Sequence, residues 1–189
     1  LIDAGCEFDS YASDITRTYP VNGRFSEPQK QLYELVLAAQ SAALGAVNPG
    51  QRYSAIHDAA LKVLAQGMLD FGLLDKAKFG SVDDVIAERA FAQFYMHGTG
   101  HWLGLDVHDA GAYRDVSQDE RPSRILQPGM ALTVEPGIYV RPAAGVPEQF
   151  WNIGIRIEDD VVVTADGCRI LSGAAPKLVS DIEKVMQHG

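Results

Sequence analysis

Cysteine is scarce in this chain: of 189 residues only Cys6 and Cys168 are cysteines, and their separation matches neither a zinc nor a redox spacing. That excludes a disulfide scaffold and a thiolate cage, and two free, buried thiols in a reducing, cytoplasmic compartment are expected. Clustered positive charge is missing too. Sixteen Lys and Arg stand against 25 Asp and Glu, a formal net charge of -9, so the phosphate neutralisation that general nucleic-acid binding requires has no source. No apolar run approaches the ~18 residues of a membrane span, nothing reads as a signal peptide, and no membrane association is expected. Linkers, repeats and low-complexity stretches are also lacking, which leaves a single domain over residues 1–189. Leu1 already lies in a strand-like run, with neither an initiator Met nor a polar lead-in, and the sequence is read as a piece of something longer.

What is present suffices for one substantial core, at 47% hydrophobic residues. Residues 1–8 and 11–19 read as two strands around the turn-compatible Asp9-Ser10. Ser26 with Gln29 three positions on is a capping-box signal, and Leu32, Leu35, Val36, Ala39 and Ala43 follow at helical spacing until Pro49-Gly50. Ser54 opens a second helix, with Ile56, Ala60, Val63, Leu64 and Phe71 on one face; shorter helices are expected over 81–90 and 181–187. Glycines, histidines and β-rich runs at 131–140 and 153–164 follow Phe91. Strands, then helices, then strands imply an α+β domain whose helices cover one face of a curved, mostly antiparallel sheet.

Five side chains stand out against these apolar and glycine-rich surroundings: Asp3, Asp14, His101, Glu135 and Glu158. A buried ionised carboxylate costs several kcal/mol unless a partner compensates it, and divalent cations would do so. A hairpin turn centred between Phe8 and Asp9 sets Asp3 directly opposite Asp14, with Cβ atoms ~4.5 to 5.5 Å apart. Two like charges so placed must share a proton or a cation. Thr16 and Thr18 share Asp14's face of the strand, where Thr16 can hydrogen-bond a ligating carboxylate.

Three of the five histidines, His97, His101 and His108, fall within the glycine-spaced segment from Tyr95 to Asp109, and neutral imidazole is a good ligand for divalent transition ions. His57, on a helix, and His188, at the terminus, are expected at the surface. Glu135 precedes Pro136, which holds it extended and deprives the strand of one amide donor. In 153–158 the isoleucines take one face, and Gly154, Arg156 and Glu158 take the other. Asp159 and Asp160 read as exposed strand-end charges. An oxygen-rich set with one imidazole suits Mn, Co or Zn, with Mn favoured by the carboxylates; the chemistry such a pair of ions supports is metal-assisted hydrolysis.

The runs Leu1-Ile-Asp3-Ala-Gly5, Asp14-Ile-Thr-Arg-Thr18, His97-Gly-Thr-Gly-His101-Trp-Leu-Gly-Leu-Asp-Val-His108-Asp109, Leu132-Thr-Val-Glu135-Pro-Gly-Ile-Tyr139 and Gly154-Ile-Arg156-Ile-Glu158 together resemble the catalytic domain of the aminopeptidase P family, the Xaa-Pro aminopeptidases among the pita-bread metallopeptidases. The resemblance runs through essentially the whole chain. It implies a dinuclear Mn(II) centre held by Asp3, Asp14, His101, Glu135 and Glu158, with Asp14 and Glu158 bridging, and with Glu135 taking the proton of the bridging water. It implies that His108 hydrogen-bonds the scissile peptide, and that His97, Tyr139 and Arg156 line the pocket for the proline after the cleaved bond. The substrate implied is a peptide with proline second, and a homo-oligomer is implied for the full-length protein. Family members carry more of the catalytic domain ahead of the first aspartate, including an active-site histidine, so the pita-bread fold is expected to be incomplete at the N-terminus. Prolidase, which takes only Xaa-Pro dipeptides, resembles the same pattern. His101-Trp102 and the insertion-like 114–124 favour the aminopeptidase. A non-catalytic, peptide-binding pita-bread module is the other class, disfavoured because all five ligands are kept.

Overall fold

The computed structural model describes residues 1–187, and His188 lies outside them. The chain opens with four short strands, β1 (Ile2–Ala4), β2 (Glu7–Phe8), β3 (Tyr11–Ala12) and β4 (Ile15–Arg17). Two long helices follow, α1 (Glu27–Ala46) and α2 (Ser54–Asp70), then the short α3 (Lys76–Phe79) and α4 (Val82–Ala87) and a 3-10 turn at Ala90–Gln93. The second half holds β5 (Ala131–Val134), β6 (Gly137–Val140), β7 (Ile153–Arg156), β8 (Asp159–Val163), β9 (Cys168–Ile170) and α5 (Val179–Met186).

All the strand pairs are antiparallel: β1 with β4, β2 with β3, β6 with β7, and β5, β8 and β9 in one three-stranded sheet. The α1 cap forms as expected. Gln29 N–H donates to Ser26 Oγ, and Ser26 N–H donates back to the Gln29 side chain at 2.9 Å. Helix α1 buries Leu32, Val36, Ala39 and Ala43, packing against α2 and against β5, β6 and β7. At Gly67 of α2 an added Cβ would lie 2.4 Å from the Leu35 methyls, so glycine is what lets the two helices approach so closely. Leu132, Ile138, Ile155 and Val161 complete the core from the sheet side. No described helix is long and apolar enough to cross a membrane.

Four expectations are corrected. The hairpin turn is centred between Asp9 and Ser10, both at positive φ (51° and 69°), a conformation that polar Asp tolerates better than most residues. Asp3 is therefore paired with Thr16, and Asp14 sits two positions away, on the diagonal. A slip of two residues preserves the side-chain face, so the acids still share one surface. Asp159 and Asp160 are buried, not strand-end charges, because the C-terminal loop and α1 close over them. His57 is half-buried rather than at the surface: Nδ1 lies 2.8 Å from Thr99 Oγ1, and the ring stacks on Tyr95. Both thiols are free, but Cys6 is exposed and Cys168 only half-buried.

Candidate metal centre

Local backbone chemistry places each of the five side chains. The β5–β6 run breaks at Glu135-Pro136, where proline has no N–H for the ladder. The β7–β8 run breaks at Ile157-Glu158. Val134 pairs with Asp159 before the break and Gly137 with Arg156 after it; the unchanged register sets Glu135 across from Glu158. Segment 99–103 runs as an extra edge against β5: Glu135 N–H donates to Thr99 O at 2.8 Å and Thr133 N–H to His101 O at 2.9 Å. Gly100 permits this approach, since a Cβ there would lie 2.0 Å from Thr133 O. Thr133 Oγ1 accepts from His101 N–H at 3.1 Å and donates to Glu135 Oε1 at 3.3 Å, tying the two together. Glu158 N–H donates to Thr16 O at 3.1 Å, which joins this unit to the opening hairpin.

Three overlapping trios result: Asp3–Asp14–Glu158, His101–Glu135–Glu158 and Asp14–His101–His108, with the donor atoms of each within 4.8 Å of one another. His101 Nε2 lies 3.3 Å from Asp14 and 3.5 Å from Glu135. Its Nδ1–H donates to Trp102 O at 3.0 Å, which fixes the tautomer and leaves the Nε2 lone pair facing the carboxylates. The exposed His108 packs edge-on against His101 at 4.1 Å. Burial first, and then the neighbouring Glu135 carboxylate, push Glu158 up to about 8, against the lowering effect of Thr16 Oγ1 donating to Oε2 at 2.5 Å. Burial also raises Glu135 and, together with Asp3, Asp14.

Beside the acids, Arg156 forms an ion pair with Asp3 and donates from Nη1 to Tyr139 Oη at 3.2 Å. His97 Nδ1 can only donate to the Gly98 carbonyl, 2.7 Å away, so Nε2 accepts from the Tyr139 hydroxyl at 2.8 Å. Burial holds His97 below the usual imidazole range. The three residues thus form one ordered chain of hydrogen bonds along the edge of the cluster.

Behind the acids lies a buried network that sequence reasoning missed. Arg17 commits all five N–H groups: Nε to Pro176 O, Nη1 to the carbonyls of Thr16 and Glu158, and Nη2 to Asp159 Oδ1 and Ala175 O, at 2.5 to 3.0 Å. Asp159 accepts four bonds, from Arg17, Ser172, Gln40 and Lys177. Burial alone would raise Asp159, but the bonds from Lys177, Ser172 and Arg17 reverse this and hold it below the usual carboxylate range. Its neighbour Asp160, pushed up to about 6 by burial, accepts the Asp14 N–H at 3.1 and 3.3 Å. The basic residue two positions beyond Ile15 in Asp14-Ile-Thr-Arg17 and the doubled aspartate after Glu158 were the available signals.

The donor set fits divalent cations on a further count. Glu158 Oε1 is fully buried and has no hydrogen-bond partner among the described residues, and the Glu158 carboxylate lies among those of Asp3 and Asp14. An orphaned buried oxygen among like charges is tolerable with a cation or a proton there and costly otherwise.

Residues 1–165 match metallopeptidase family M24, and the chain belongs to that family. Its α+β architecture is the pita-bread fold of the aminopeptidase P structures, of which it covers a part. It is 53% identical over 186 residues to the Xaa-Pro aminopeptidase of Haemophilus influenzae and 47% identical over 186 residues to that of Escherichia coli. These alignments take in 98% of this chain but 41% and 40% of those proteins. The structure of Pseudomonas aeruginosa aminopeptidase PepP superimposes with a TM-score of 0.92 at 51% identity, covering 98% of this chain and 40% of that one. Zn-substituted E. coli aminopeptidase P in complex with product gives 0.89 at 46% identity, with the same coverage.

Proposed function

We propose that this chain carries the metal centre and proline pocket of an Xaa-Pro aminopeptidase, which releases the N-terminal residue from peptides with proline second. The observation that carries the reading is the convergence of Asp3, Asp14, Glu135 and a tautomer-fixed His101 on Glu158, whose buried Oε1 has no partner among the described residues. The names of the relatives support the same direction. Asp3, Asp14, His101, Glu135 and Glu158 would hold two divalent ions, Mn(II) in preference to Co(II) or Zn(II) for so oxygen-rich a set. Bound there, such ions supply a water of lowered pKa and a polarised scissile carbonyl.

The chain's own groups do the rest. Glu135, its basicity raised by burial, takes the proton of the attacking water. His108, exposed beside His101, hydrogen-bonds the scissile peptide and steadies the tetrahedral intermediate. His97, Tyr139 and Arg156 line the pocket for the proline ring, their mutual hydrogen bonds holding them rigid before substrate arrives. The full-length protein acts as a homo-oligomer in the cytoplasm.

The test uses the full-length protein reconstituted with Mn(II), its metal content measured, and its kinetics taken on Xaa-Pro-Yaa peptides and Xaa-Pro dipeptides. Two tightly bound ions and cleavage of the longer peptides are expected. Less than one bound ion favours a non-catalytic module, and strong preference for the dipeptide favours a prolidase.

A further inference from the structure

A cavity of about 670 Å³ adjoins the centre along the 97–100 segment, and Arg52, Arg89 and Arg114 stand in its wall. Among the described residues no Asp or Glu lines it, in a chain whose acids outnumber its bases 25 to 16. None of the three arginines makes an ion pair among the described residues. Arg52 donates from Nη1 to Ser123 O at 2.8 Å, and Arg114 from Nη1 to Arg121 O at 3.2 Å. Most of each guanidinium fork is left uncommitted. Arg17 provides the contrast within the same molecule, with every N–H engaged inside the fold. Arg89 also departs from ordinary backbone geometry: its φ is 54°, and its guanidinium lies 6.0 Å from the Phe91 ring.

Planar guanidinium forks recognise carboxylates and phosphates with paired, charge-assisted hydrogen bonds. The cavity's position selects between them. It shares His97 and Gly98 with the edge of the candidate centre, and His97 belongs to the proposed proline pocket, so a peptide that continues past its proline is led toward the arginines. We propose that Arg52, Arg89 and Arg114 form an anion subsite that takes a carboxylate of the peptide downstream of its proline, from the chain's C-terminus or from an acidic side chain. The peptide's direction rests on the aminopeptidase reading; the anion preference of the cavity does not.

Three peptides separate the sources: Ala-Pro-Ala-Ala as the free acid, the same peptide as its C-terminal amide, and Ala-Pro-Asp-Ala as the amide. With the full-length, metal-loaded protein, at least one carboxylate-bearing peptide should show kcat/KM about tenfold above the neutral amide, chiefly through KM, corresponding to one such interaction. The advantage should shrink at high salt. The triple variant Arg52→Met/Arg89→Met/Arg114→Met should cleave the neutral amide as before and treat all three peptides alike. Preference for the free acid identifies the C-terminus as the ligand, and preference for the Asp peptide identifies the side chain. Equal kcat/KM on all three, or a preference that survives in the triple variant, overturns the subsite. Calorimetric titration of the same peptides into metal-free protein keeps the two readings apart. Carboxylate-dependent binding that the triple variant loses supports the subsite even if no peptide is cleaved, a result that would count against the aminopeptidase alone. Binding indifferent to the carboxylate overturns the subsite whatever the kinetics.

Discussion

Replacing Arg17 with Met should be among the most damaging single changes outside the metal ligands themselves. The side chain is 3% exposed, and its partner Asp159 is fully buried. Met fills much of the volume but returns none of the five N–H donors, so four backbone carbonyls lose a partner and Asp159 Oδ1 keeps only Ser172. Removing one member of a buried pair costs about 3 to 5 kcal/mol, and Lys177, still 2.6 Å from Asp159, holds the loss within that range. Domains of this size shift by roughly 2 to 4 °C per kcal/mol, so a fall of about 6 to 20 °C in the thermal midpoint of the metal-free protein is expected. The exposed Lys30–Glu34 pair, 3.8 Å apart on α1, is the control: Lys30→Met should change stability by no more than about 0.5 kcal/mol. The double variant Arg17→Met/Asp159→Leu should do no better than Arg17→Met, because removing Asp159 leaves the partly buried Lys177 without its carboxylate partner. Calorimetric and denaturant unfolding of all four proteins provide the measurement. An Arg17→Met protein within about 1 kcal/mol of the parent would refute the view that this network holds up the backbone of Glu158 and Asp160.

The long helices and the identity of the clustered acids were legible because each rests on a local rule. Ser26 caps α1 as its spacing to Gln29 requires, and Pro136 breaks the strand where its missing N–H says it must. Register was less legible. The tetrapeptide Phe8-Asp9-Ser10-Tyr11 admits two turn centres, and the choice depends on whether Ser10 enters the left-handed region, which context decides. The doubled aspartates after Glu158 were misread for a different reason. In isolation two consecutive acids at a strand end prefer water; only the remote arrivals of Arg17, Gln40, Ser172 and Lys177 make burial affordable for Asp159. His57 was misread likewise, since the Thr99 hydroxyl that receives it comes from a loop 42 residues away. Side chains satisfied by local partners are readable from sequence, and those satisfied through tertiary pairing are not.

Asp14→Asn in the full-length protein should abolish metal-dependent hydrolysis while leaving the metal-free protein as stable as before, or more so, because repulsion with Asp3 and Glu158 is relieved. Retained activity on Xaa-Pro-Yaa peptides would contradict the role given to that carboxylate. Gly100→Ala must move either Thr133 or the 99–101 edge, at about 1 to 3 kcal/mol; metal titration should show weaker binding, since His101 moves with it. The pH dependence follows from Glu158, whose folded value of about 8 lies far above the ~4.3 of an unfolded glutamate. Between those values the native state holds a proton that the unfolded chain has already released, so metal-free stability falls as pH rises from about 4 to about 8. Asp160, Asp14 and Glu135, all raised, act in the same sense. Cations compete with the protons of Asp14, Glu135 and Glu158 for the same oxygens, so metal affinity must rise over the same window, with protons released on binding. Thermal midpoints measured with and without Mn(II) should therefore diverge as pH increases from about 5 to about 8, and curves that stay parallel would mean that these carboxylates are not where the metal binds.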